Sequence, residues 1–203
     1  MRVGIDIDNT IVCYDEAFAV LARKIGFDVP ASANKQEVRT WFHERGLHDE
    51  FTLLQGQIYG KNISLAHVFE GVQSFLAQAI SRNYEVFLIS HKTKYPIKGE
   101  KLNLHEAALN FLSEQNIVGE QRSNSIPVGN VYFEPTLEFK VKKIVDLRLD
   151  YFIDDLLTVL NHGNFPDGTG RIWFSSHTCG LDNAQIVHWK SWSSINKFFF
   201  GLA

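Results

Sequence analysis

The sequence predicts an α/β protein: a Rossmann-like three-layer core with a parallel five-strand sheet, and a small α-helical insertion after the first strand. Three observations carry that prediction. Five short apolar runs alternate with amphipathic stretches, the pattern of repeated β-α units. Each run is rich in β-branched or aromatic residues and apolar on both alternating sets, as strands covered on both faces are. The interval 14–69 breaks the alternation with helical patterns and no clear strand.

The five runs are "VGIDI" (3–7), "EVFLIS" (85–90), "NVYF" (130–133), "DYFID" (150–154) and "GRIWF" (170–174). Between and after them lie helical patterns. "EGVQSFLAQAISR" places Val72, Phe75, Leu76, Ala79 and Ile80 on one face. "NLHEAALNFLSEQ" opens on Asn103, with Glu106 three residues on as in a capping box. "LEFKVKKIVDLRL" is amphipathic, and "SWSSINKFFFGL" supplies a last helix. Inside 14–69, "DEAFAVLARKIG" sets Phe18, Leu21 and Ile25 on one stripe and stops at Gly26. "NKQEVRTWFHERG" has Asn34 as cap, an apolar face of Val38, Trp41 and Phe42, and Gly46 as stop. The expected division is a core of 1–13 with 70–203 and a helical unit of 14–69. "GEQRSNSIPVGN" (119–130) reads as a loop.

Bulk properties narrow the functional classes. A chain of 203 residues, 45% hydrophobic and 21% charged, has the balance of a globular protein. Its net charge of -3 gives no general attraction for a nucleic acid polymer or an anionic membrane. No apolar run is long enough to span a bilayer, and no basic segment leads into an apolar core as in a signal peptide. Cys13 and Cys179 are far apart and show no CxxC spacing. Free thiols in a reducing cytoplasm are expected.

The chemistry gathers where strands end. Residues two apart on a strand point the same way, so Asp6 and Asp8 project together from the end of the first run. Asp154 and Asp155 end the fourth run in the same manner. Open α/β sheets bind ligands at the carboxyl ends of their strands. If the two runs are neighbours, four carboxylates converge, which is costly unless one is protonated or a cation sits among them. A hard divalent ion with oxygen ligands, most simply Mg²⁺, is the expected solution. The plain alternatives are helix caps: Asp6, Asp8 and Thr10 for the first helix, Asp154 and Asp155 for one beginning at Leu156.

"DIDNT" resembles the DxDxT motif of the haloacid dehalogenase-like (HAD) hydrolases. Ser90 at the end of the second run, Lys140 near the start of a helix and the acidic "FIDD" resemble that superfamily's other motifs, in order. The resemblance covers the chain outside the helical insertion, which it identifies as a small cap closing over the site. It implies that Asp6 is the nucleophile forming an aspartyl-phosphate, and that Asp8 is the general acid and then base, with a backbone carbonyl toward the metal. It further implies that Thr10, Ser90 and Lys140 bind the phosphoryl group and that Asp155, with Asp154, completes the Mg²⁺ site. Lys142 and Lys143 compete with Lys140 for the motif position. His91 and Lys92 follow Ser90 and are either substrate contacts or loop residues; in the insertion Trp41 reads as core from its stripe, and Arg39, His43 and Arg45 as surface residues before ligands. The implied activity is hydrolysis of a small phosphorylated metabolite, a nucleotide or a sugar phosphate. Phosphoryl transfer by a mutase and a non-catalytic metal-binding domain are the alternatives. No oligomeric state is assigned.

Overall fold

The computed structural model describes residues 1–119, 125–175 and 183–201. Its main sheet is all parallel, in the order β5-β4-β1-β6-β7-β8. The strands are β1 (Arg2–Ile5), β4 (Glu85–His91), β5 (Val131–Glu134), β6 (Tyr151–Asp154), β7 (Gly170–Phe174) and β8 (Ile186–Trp189). All five expected runs are strands. The sheet has six strands among the described residues, not five, because β8 adds a parallel edge beside β7. A two-stranded antiparallel ribbon, β2 (Val12–Cys13) with β3 (His67–Val68), stands apart from it.

Strand alternation divides the core between the two faces of the sheet. Val86 and Leu88 of β4 join one apolar cluster; Phe87 and Ile89 join the other. The first is covered by α4 (Val72–Ser81), α5 (Leu104–Glu114) and α8 (Trp192–Phe200), the second by α6 (Leu137–Asp146) and α7 (Leu157–Leu160). Gly4 lets β1 lie close beneath the second cluster: a Cβ there would stand 2.4 Å from Leu149 Cδ1 and 2.7 Å from Phe152 Cδ2.

Between the ribbon strands run three mutually packed helices, α1 (Asp15–Lys24), α2 (Lys35–Glu44) and α3 (His48–Tyr59). Phe18, Phe42 and Phe51 form their shared apolar centre. Asn34 and Glu37 make a complete capping box on α2. Asn103 accepts from the Glu106 N–H, but its second bond runs side chain to side chain. Gly26 and Gly46 adopt the positive φ that ends α1 and α2. Ile25, expected on the α1 stripe, is exposed because the helix stops at Lys24. No helix among the described residues is long and apolar enough to cross a membrane. Cys13 is a buried free thiol in β2, whereas Cys179 and most of the expected 119–130 loop's first half lie outside the described residues.

Candidate active site

Strand order creates the site. The chain moves from β1 to β4 and β5 on one side, then returns to place β6, β7 and β8 on the other. The reversal leaves a crevice at the carboxyl ends of the central strands. Ile5 pairs with Ile153, and the Asp6 N–H donates to the Ile153 carbonyl at 2.9 Å, so Asp6 emerges beside Asp154. Past Ile5 the backbone leaves the strand in a tight loop. Ile11 and Val12 N–H groups both return to the Ile7 carbonyl, and Asn9 takes a left-handed φ of 62°, which Asn tolerates better than most residues. The α1 helix begins only at Asp15, so neither Asp6 nor Asp8 caps it.

Lys140 is the lysine that reaches these acids. Its ammonium, 1% exposed, lies 2.5 Å from Asp6 Oδ1 and 2.7 Å from Asp154 Oδ2. Lys142 and Lys143 turn instead to Asp146 and Glu134. Asp154 also serves the local backbone, its Oδ1 accepting from the Leu156 N–H at 2.8 Å. Asp155 is half-buried and faces the cavities, with Asn9 Nδ2 3.5 Å from its Oδ2.

Asp8 has a separate set of partners. Tyr14 donates to its Oδ1 at 2.8 Å, Ser90 to its Oδ2 at 3.3 Å, and the buried Lys92 ammonium sits 2.9–3.0 Å from both oxygens. Lys92 is itself fixed. Its N–H donates to the Glu134 carbonyl, His105 contacts its carbonyl at 2.8 Å, and its ammonium lies 4.1 Å from the Tyr59 ring centre.

Charge follows from this geometry. Burial, then the neighbouring carboxylates of Asp154 and Asp8, push Asp6 up to about 7, although Lys140 opposes them. Burial and the charges of Asp6 and Asp154 push Asp155 up to about 8. Burial also acts on Asp8, but the Lys92 ammonium and the hydrogen bonds from Lys92 and Tyr14 outweigh it and hold its carboxyl below the usual range. Ligand oxygens of Asp6, Asp154 and Asp155 all lie within 4.8 Å of one another. One ammonium cannot neutralise three clustered carboxylates, two of them buried. The raised proton affinities express that deficit, and an all-oxygen set of this kind suits a hard divalent cation.

A cavity of about 350 Å³ opens over Asp6, Asp8, Ser90, Lys140 and Asp155, with exposed His91 at its border. Thr10 is not brought to it. Its side chain is fully buried with no partner for Oγ1 among the described residues, and its carbonyl accepts from Trp192 Nε1 at 2.9 Å. Sequence reasoning passed over Lys35, Tyr14 and Tyr59. Lys35, half-buried on α2, reaches the site from the helical insertion. Burial lowers its proton affinity, but Tyr59, Asp8 and Asp155 more than offset this and hold it above the usual value. No spacing relative to the acids marks these residues; only the packed fold brings them in.

The fold is similar to that of solved HAD-superfamily hydrolases. A HAD-superfamily hydrolase from Ehrlichia chaffeensis is similar at 16% identity and TM-score 0.56, over 99% of this chain and 96% of that one. A predicted phosphoglycolate phosphatase from Haemophilus somnus is similar at 11% identity and TM-score 0.58, over 98% and 97%. An archaeal beta-phosphoglucomutase from Pyrococcus is similar at 12% identity and TM-score 0.50, over 99% of both chains. No protein-family model and no curated protein matches the sequence.

Proposed function

We propose that this protein is a Mg²⁺-dependent phosphatase that hydrolyses a small phosphomonoester through an aspartyl-phosphate on Asp6, with residues 14–69 as a cap over a core of 1–13 and 70–203. The observation that carries the reading is the division of labour between the two acids. Asp6 shares Lys140 with Asp154, beside Asp155. Asp8 faces the same cavity on a different cation, Lys92. Paired carboxylates in unlike environments suit unlike roles.

In the first step an Asp6 oxygen attacks phosphorus and the ester P–O bond breaks. Lys140 holds Oδ1 and leaves Oδ2 without a protein donor among the described residues. Asp8 gives the leaving oxygen its proton, then takes one from the water that cleaves the aspartyl-phosphate. Lys92 couples binding to that proton. An arriving phosphate draws the ammonium away from Asp8, and the carboxyl then gains proton affinity when the leaving group needs it. Ser90 and Lys140 steady the phosphoryl oxygens. Asp6 and Asp155, with Asp154 behind them and the Asp8 carbonyl, would hold Mg²⁺, which supplies charge to offset the repulsion between two anions.

Phosphate release from a panel of nucleotides and sugar phosphates tests the reading, run with Mg²⁺, with chelator and with Asp6→Asn. Release that requires both metal and Asp6 is expected. A flat panel from folded, metal-binding protein refutes it, and product with its phosphoryl group moved rather than released assigns the site to a mutase.

A further inference from the structure

We propose that the substrate carries a second anionic group, a carboxylate or a further phosphate remote from the scissile ester, and that Lys35, Arg39 and Lys190 bind it. The inference rests on the phosphomonoester reading and names the substrate class.

A second cavity of about 780 Å³ adjoins the first, with Asn9, Lys35, Gln55 and Asp155 lining both. It lies between the α2 and α3 helices and the carboxyl ends of β7 and β8. Its basic residues are Lys35, Arg39, His43, His48 and Lys190. Its acids are Asp155, of the metal cluster, and Asp15, which accepts from the Lys35 backbone N–H at 3.3 Å. Among the described residues no carboxylate lies within ion-pair distance of Lys35, Arg39 or Lys190. Elsewhere Lys98 pairs with Asp49 and Lys61 with Glu100; what sets Lys35, Arg39 and Lys190 apart is that they line one cavity.

Basic side chains also lie close together here. His43 and His48 lie ring to ring at 4.4 Å. Reduced hydration, then the charges of His48 and Arg39, lower the proton affinity of His43. The positive side chains of Lys35, Arg39 and Lys190, gathered round one cavity, repel until an anion enters. Lys35 stands between the two cavities, placed to contact both ends of one bound molecule.

The aromatic residues of this cavity favour a charged tail over a nucleobase. Phe69 packs edge-on to Phe174, Phe174 also meets Trp192, and Phe51 is engaged by Phe18, Phe42 and His43. These rings are already spent on one another.

The test pairs ligands that differ only in the tail. Affinity is measured calorimetrically on Asp6→Asn protein with Mg²⁺. 3-Phosphoglycerate is compared with glycerol 3-phosphate, and fructose 1,6-bisphosphate with fructose 6-phosphate; thymidine monophosphate serves as an uncharged aromatic tail. The doubly anionic member of at least one pair is expected to bind about tenfold tighter or better. The first pair reports a carboxylate, the second a phosphate. Adding Arg39→Gln and Lys190→Gln, both at exposed positions, should reduce that ratio toward one, with the thermal midpoint unchanged. Equal affinities in both pairs, a ratio indifferent to the two substitutions, or tightest binding of thymidine monophosphate overturns the proposal. Turnover by the unsubstituted protein separates the two readings. Discrimination without phosphate release removes the phosphatase and keeps the anion site, and release without discrimination does the reverse.

Discussion

Replacing Lys140 by Met keeps a long side chain in the core but removes the cation between Asp6 and Asp154. At 2.5 and 2.7 Å, and an effective dielectric of about 20, each contact carries about 6 kcal/mol of gross attraction. Desolvation consumes most of that, so the net loss on deleting one partner of a buried pair is about 3–5 kcal/mol. The loss must depend on pH. Asp6 and Asp155 have folded pKa values of about 7 and about 8, raised from 3.8. A carboxyl raised in this way contributes stability that is fully present below its unfolded pKa and is lost as pH rises through the folded pKa. Near pH 5 protons can neutralise the cluster without Lys140; near pH 9 they cannot. Urea unfolding of chelator-treated protein, followed by far-UV circular dichroism at both pH values, measures the difference. The expected loss is largest at pH 9, with partial recovery on adding Mg²⁺. A loss under about 1 kcal/mol at pH 9, or one equal at both pH values, refutes the assignment of Lys140 as the counter-charge of this cluster.

Lys92→Met should raise the pKa of Asp8, since the ammonium and its hydrogen bond help outweigh burial there; the limb of the pH–rate profile that Asp8 sets then moves to higher pH. Because the Asp8 pKa is depressed in the folded state, the stability it contributes is present above the unfolded value and lost as pH falls through the folded one. The variant is therefore destabilised at pH 7, by an amount that shrinks as the pH falls below the unfolded value in urea unfolding. Asn9→Ala should cost about 1–2 kcal/mol for its left-handed backbone, whereas Asn9→Gly should be milder in thermal unfolding and lose only the contact to Asp155.

The elements that announce themselves in the sequence are those with two covered faces or a clear stripe. The β7 strand falls on residues 170–174 as read, and α2 starts at the cap expected for it. By contrast, β8 is a short edge strand with Val187 exposed and His188 and Trp189 half-buried, so its apolar signal is diluted. The α3 helix carries Thr52, Gln55 and Gly56 amid its apolar residues and owes its form to packing against α1 and α2. In the site, Asp6, Asp8, Ser90 and the Asp154–Asp155 pair were legible because strand ends are legible. Lys140 was ambiguous until its neighbours were seen to pair with Asp146 and Glu134. Thr10 had the right spacing and a buried side chain. Lys92 was legible as either a substrate contact or a loop residue, because nothing local records that it pairs with Asp8.

The bond from Trp192 to the Thr10 carbonyl has a consequence for synthesis. The loop bearing Asp6 and Asp8 is translated before the indole that secures it, which follows 182 residues later. A nascent chain halted before α8 holds every acid of the cluster without this brace, and closing so long a loop is slow and entropically costly. The braced form of this loop should therefore arrive late and abruptly during translation, once α8 has emerged.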